Sequence, residues 1–230
     1  MSEAELSYEI LPENYQEYDL SFKIIVIGDC GVGKSCLTTK ATKNYFEDNY
    51  TSTVGFEFCT FNIKIKDKTI KMQIWDTCGQ EAYKSLISSF YRNSSLAILV
   101  YSIENLESFE NIKLWLNEVK TQSNPDIKIF LIGNKIDLEE QRKISKDMAE
   151  EFKNNNKINF FLETSAKTGF NAKNVFIEAA KQLYEEHNNY KERASKLGNV
   201  EEMMFSNPTD NLKINDEKLK KKKKKRLLLI

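Results

Sequence analysis

One stretch of the chain has the residue types and spacing to hold phosphate. Gly28-Asp29-Cys30-Gly31-Val32-Gly33-Lys34-Ser35 fits the pattern GxxxxGK[ST], in which glycines let backbone amides turn inward around an anion. The apolar run Phe22 to Ile27 precedes it and helix-forming sequence follows, so the positive end of a helix stands behind the loop. In that setting Lys34 reaches the β and γ phosphates and the Ser35 hydroxyl binds Mg²⁺. A plain glycine turn also joins strand to helix, but it has no need of Lys34-Ser35. Asp76 ends a second apolar strand in Trp75-Asp76-Thr77-Cys78-Gly79-Gln80-Glu81. Alone, an Asp there is ordinarily a cap or turn residue; beside a phosphate loop, it suits a carboxylate that holds Mg²⁺ through a water.

Two further segments could read a base. Asn134-Lys135-Ile136-Asp137 follows the apolar run Ile127 to Ile132. A carboxylate at Asp137 can accept from the N1–H and 2-amino groups of guanine together; adenine lacks that pair and would leave a buried polar mismatch. Ser165-Ala166-Lys167 follows the last strand. The Ala166 amide can donate to guanine O6, and the stems of Lys135 and Lys167 can cover the ring. Either segment alone occurs in ordinary loops; their order after the phosphate loop predicts GTP and GDP as ligands and disfavours ATP.

The elements that must position these residues alternate. Buried strands are expected at Phe22 to Ile27, Leu96 to Ile103, Ile127 to Ile132 and from Phe160 to Leu162. Phe56 to Lys66 and Thr69 to Trp75 read as a hairpin turning at Asp67-Lys68. Helical spacing runs through Phe109, Ile112, Leu116 and Val119, and from Val175 to Tyr184. Strands alternating with helices predict an α/β fold, a mostly parallel sheet with ligands beyond its strand ends. Residues 1–20 read as a loose arm, 21–187 as the domain and 188–230 as a polar tail. The 230-residue chain has four cysteines in no zinc-like pattern, which suits a reducing cytosolic setting. Its polar N-terminus predicts no signal peptide, and no apolar run reaches transmembrane length.

With these motifs in order, residues 20 to 187 resemble the Ras superfamily and, within it, the Rab family. The resemblance rests on the phosphate loop, Thr53-Val54-Gly55-Phe56-Glu57-Phe58, Lys71-Met72-Gln73-Ile74-Trp75-Asp76-Thr77, Asn134-Lys135-Ile136-Asp137 and Glu163-Thr164-Ser165-Ala166-Lys167. It implies a P-loop small G domain: a six-stranded, mostly parallel sheet with one antiparallel strand and helices on both faces. It implies that Cys30, Gly31, Val32, Gly33, Lys34, Ser35 and Cys36 line the phosphates, that Phe46 stacks on guanine and that Tyr50 covers the phosphates. Thr53 would bind Mg²⁺ and sense the γ-phosphate, Gly79 would sense it through its amide, and Gln80 would orient the attacking water. Phe58, Trp75 and Phe90 match the aromatic triad that Rab proteins show to effectors, although aromatics on strands are more often core. Exchange factors, GTPase-activating proteins and effectors are the implied partners, and a monomer is the family default. The switch segments hold no arginine placed to act in cis, so slow turnover, accelerated by a partner's arginine, is expected. The competing expectation is a nucleotide-loaded interaction module without turnover.

Departures from the family pattern lie at the end of the chain and beside the chemistry. The chain ends Leu227-Leu228-Leu229-Ile230 and its last cysteine is Cys78, so the usual lipid anchor is not expected. Lys218, Lys220 through Lys225 and Arg226 place eight positive charges in nine positions. This segment, 218–230, is first expected to meet an anionic membrane surface on the cytosolic side; a nuclear or nucleic-acid role and a merely solvated tail are the alternatives, nucleic acid being the disfavoured partner. The resemblance implies that Cys30 and Cys78 would lie by the nucleotide, where oxidation could perturb turnover, though small inert thiols are the commoner case. Ala82 replaces the usual arginine after the switch glutamate, and Ser102 stands where Rab proteins usually carry Asp.

Overall fold

The structure, a computed structural model, describes residues 6–48, 55–77 and 90–196. It divides into a unit at Met1–Leu183, which carries the sheet and the site, and a unit at Tyr184–Ile230. The strands are β1 (Tyr8–Leu11), β2 (Leu20–Ile27), β3 (Phe56–Ile65), β4 (Lys68–Thr77), β5 (Leu96–Ser102), β6 (Lys128–Asn134) and β7 (Phe160–Glu163). The helices are α1 (Lys34–Lys43), α2 (Leu106–Glu110), α3 (Ile112–Gln122), α4 (Lys146–Asn156) and α5 (Ala172–Lys196), with a 3-10 segment at Ile136–Gln141. Among the described residues no helix is long and apolar enough to cross a membrane.

The sheet order is β1-β3-β4-β2-β5-β6-β7. β3 runs antiparallel to both neighbours, and the pairs from β4 to β7 are parallel. Because strand side chains alternate, aligned residues share a face. Ile25, Trp75, Ala97 and Ile129 line one face, where Ile112, Trp115, Leu116 and Val119 of α3 and Ala149 of α4 join the core. Ile24, Ile74 and Leu96 line the other, where Phe61 stacks on Phe176 of α5 at 5.7 Å. Strands buried on both faces read as continuous apolar runs, which is why β2, β5 and β6 were legible.

Three expectations change. The sheet has seven strands, not six, because residues 8–11 of the supposed loose arm pair with the outer edge of β3. The buried Asn62 donates to the carbonyls of Pro12 and Glu13 at 2.9 and 3.0 Å, and Asp19 exchanges backbone and side-chain bonds with Thr69. Covering an edge strand removes a row of unpaired backbone groups. The hairpin turn is Lys66-Asp67, since Ile65 pairs with Lys68 and Lys66 takes φ 53°. Finally, α5 runs to Lys196, into the supposed tail; Lys, Glu, Arg and Ala there favour helix without an apolar stripe.

β5 and β6 meet closely below the site. Tyr101 pairs with Gly133, and a Cβ on Gly133 would lie 2.6 Å from the Tyr101 hydroxyl. That hydroxyl is buried and makes no hydrogen bond among the described residues. Tyr101→Phe should therefore be neutral or stabilise by up to ~1 kcal/mol, whereas Gly133→Ala should cost about 1–3 kcal/mol through overpacking. Urea unfolding of both variants checks this; a large loss in Tyr101→Phe would contradict the assignment of an unpaired hydroxyl.

Candidate functional site

The phosphate loop leaves β2 against β5. Gly28, Gly31 and Gly33 have φ of 142°, 78° and 92°, a region that side chains rarely adopt. A Cβ at Gly28 would collide with the Val100 carbonyl, and one at Gly33 would sit 2.5 Å from Asn134 Nδ2. α1 begins at Lys34 with no side-chain cap on its first amides, the arrangement that leaves a helix N-terminus for an anion. Lys34 and Ser35 are buried. Lys34 Nζ donates to the carbonyls of Gly28 and Asp29 at 2.8 and 2.7 Å, which holds the ammonium across the loop.

Asp76 lies beside this loop, paired in register with Val26. It is 1% exposed, and neither carboxylate oxygen makes a hydrogen bond among the described residues. Burial raises its pKa to about 7; the Ser35 hydroxyl, near enough to act on the carboxylate but not placed for a well-formed hydrogen bond, and the Lys34 charge oppose the rise, and Glu57 adds to it. An unsatisfied buried carboxylate is costly. A dication near Ser35 would remove that cost, so Ser35 and Asp76 fit a magnesium site.

The base segments are organised by Asn134, the last residue of β6 and fully buried. Its Nδ2 donates to the Val32 carbonyl at 2.9 Å. Its Oδ1 accepts from Thr164 Oγ1 and from the Ala166 amide, each at 3.1 Å. Asn134, expected among the nucleotide-binding residues, joins the phosphate loop to the two base segments through its side chain. The Ala166 amide, expected to face guanine O6, donates to Asn134 Oδ1. Asp137 is exposed in the 3-10 segment and accepts from Ser165 Oγ at 2.5 Å. Lys135 takes φ 68° and pairs with Glu104 at 3.0 Å. Burial raises the Glu104 carboxyl, but its bonds from Lys135 and Ser102 outweigh this and leave it below the usual range. Lys167 reaches Asp48 at 3.5 Å, both exposed.

Phe46 is half-buried beyond α1. Cys30 is exposed and Cys36 partly buried; burial, then Asp76, pushes the Cys36 thiol up, away from a reactive thiolate. Tyr50, Thr53, Cys78, Gly79, Gln80 and Ala82 lie outside the described residues. The triad does assemble: Trp75 lies 5.1 Å from Phe58 and 4.9 Å from Phe90 between ring centres. Phe56 is a fourth member, 4.7 Å from Phe90. Phe56 and Phe58 are 47% and 50% exposed, more than a core cluster would allow. Asp29 and Glu104 were missed by the motif reading, because their partners are distant in sequence or undefined by any pattern.

Removing the Asn134 amide leaves buried partners on two other segments, Val32 in the phosphate loop and Thr164 and Ala166 after β7, unpaired. Asn134→Ala should cost about 3 kcal/mol, measured by thermal unfolding of the nucleotide-free protein; a Tm unchanged from wild type would contradict the role given to this side chain.

The comparisons agree with this geometry. The family model described as Ras family matches residues 23–185. Ras-related protein RABA1f of Arabidopsis thaliana is 43% identical over 73% of this chain and 77% of its own length. GTP-binding protein YPT1 of Saccharomyces cerevisiae is 41% identical over 74% of this chain and 82% of its own. Ras-related protein RABA1c of Arabidopsis thaliana is 42% identical, with 73% and 77% covered. The matched span runs from β2 into α5 and takes in every segment that Asn134 and Asp76 organise, and on these grounds the chain belongs to the Ras family, as a Rab-type small GTPase.

Proposed function

We propose that this GTPase is a timed switch of vesicle traffic, which binds GTP or GDP with Mg²⁺ and hydrolyses GTP slowly. The observation that carries the reading is Asp76, buried beside Ser35 and Lys34 with no well-formed hydrogen bond on either oxygen. Ser35, Thr53 and Asp76 would hold the metal, which when bound supplies neutralisation of phosphate charge. Lys34 and the loop amides bind the β and γ phosphates. Asp137, kept in place by Ser165, reads the guanine edge, and Phe46, Lys135 and Lys167 cover the ring. Gln80 orients the water that attacks the γ-phosphorus, while Tyr50, Thr53 and Gly79 close over the phosphates. Phosphoryl transfer of this kind depends on positioning and charge more than on covalent chemistry. An arginine from a GTPase-activating partner would accelerate it ~10³- to 10⁵-fold.

Loss of the γ-phosphate releases Thr53 and Gly79, so the output is a change of partner. Phe58, Trp75 and Phe90, extended by Phe56, are the effector surface; their mutual contacts and the exposure of Phe56 and Phe58 support this. The basic segment 218–230 lies outside the described residues. Its charges suit an anionic membrane, at ~1 kcal/mol for each basic residue near the surface.

Chelation of magnesium should speed GDP release from the wild type, and loss of the Asp76 carboxylate should weaken metal binding by about 10- to 100-fold. Asp76→Asn should release GDP at the fast rate whether or not magnesium is present. Slow, magnesium-dependent release from Asp76→Asn would contradict the metal assignment.

A further inference from the structure

The second residue of the phosphate loop is gripped by side chains from outside every nucleotide motif. Asp29 Oδ2 accepts from Asn111 Nδ2 at 2.8 Å, and Oδ1 accepts from Trp115 Nε1 at 2.7 Å. Asn111 is the junction of α2 and α3, with αR backbone angles, and Trp115 stands one turn further on, so both donors leave the same helix face. Trp115 is 6% exposed, and a hydrogen bond to a carboxylate in such a place is stronger than one between neutral groups. The backbone carbonyl of Asp29 accepts from Lys34 Nζ at 2.7 Å. Asp29 therefore joins two things through one Cα: a side chain clamped to α3 and a carbonyl that carries the phosphate-binding lysine.

The loop needs such an anchor. Gly28, Gly31 and Gly33 all sit at positive φ, and glycine has the most backbone freedom to lose on ordering. Asn134 secures the far end of the loop, at Val32; Asp29 secures the near end. Binding is tightest when the recognising groups are already fixed.

We infer that Asp29 is a positioning residue for the bound nucleotide: clamped by Asn111 and Trp115, it fixes the near half of the phosphate loop and the lysine the loop carries. The inference rests on the reading that this loop holds GTP or GDP. It predicts that slackening the clamp speeds nucleotide release out of proportion to any loss of stability.

The test is stopped-flow release of a fluorescent GDP analogue from the full chain with magnesium present, beside thermal unfolding of the same samples. Asp29→Ala should release the analogue about tenfold faster or more. Trp115→Phe, which removes one donor and keeps the ring packing, should fall between it and wild type, as should Asp29→Asn, which keeps one acceptor. Val119→Ala is the control: a fully buried residue of the same helix, it should lower Tm comparably and leave release within about twofold of wild type. If Asp29→Ala does not fold, Trp115→Phe and Asp29→Asn still decide the matter. Tight binding with release unchanged in the Asp29 and Trp115 variants overturns the inference alone. Equal acceleration by Val119→Ala also overturns it, since general loosening would then suffice. No binding of the analogue to wild type overturns the nucleotide reading and the inference with it.

Discussion

Three loops far apart in sequence meet at the side chain of Asn134. One end of its amide donates to the phosphate loop at Val32, and the other accepts from Thr164 and the Ala166 amide. Because the residue is fully buried, water cannot replace a broken bond, and a partner left unpaired bears its full desolvation cost. The distance between the phosphate loop and the base segments is thereby set inside the protein. Gly33 must remain glycine for the same reason, since a Cβ would occupy the place of the Asn134 amide nitrogen.

Around that hub the site contrasts satisfied and unsatisfied polar groups. Asp29 has a donor on each carboxylate oxygen. Arg142 locks the base side, with one nitrogen on each oxygen of Glu163 at 2.6 and 3.1 Å and a further pair to Glu139. These bonds stiffen the walls. Asp76 is the exception: more deeply enclosed than these and with no well-formed hydrogen bond on either oxygen, it has a pKa pushed up to about 7, chiefly by burial. A fold that satisfies its other site carboxylates and leaves this one costly has placed its instability where a cation can relieve it. The contrast ties the chemistry of the site to the packing of β4 against β2.

Much of this was legible in the sequence because the signals are local. Apolar runs ending in glycine or polar residues located β2, β5 and β6, and the motifs sit at those ends. What was not legible depends on pairing across distance. Tyr8 to Leu11 forms a strand only because β3 offers an edge and Asn62 a tether. No helix was read at α4, whose buried contribution is Ala149 alone; its Ser145 cap, which accepts from Met148, was the missed signal. Asp29 occupies a position the phosphate-loop pattern leaves open, and its partners lie more than eighty residues on. Phe56 was read as one more strand residue, although its ring completes the aromatic surface with Trp75 and Phe90.

The central claim is that these groups form a guanine-nucleotide switch that turns over its ligand. The most direct measurement is single-turnover hydrolysis of radiolabelled GTP by the purified protein with magnesium, beside Gln80→Leu and an ATP control. The account predicts slow conversion of GTP, none of ATP, and a clear reduction in the variant. Tight GTP binding with no conversion by either protein would contradict it and leave an interaction module that holds nucleotide without using it.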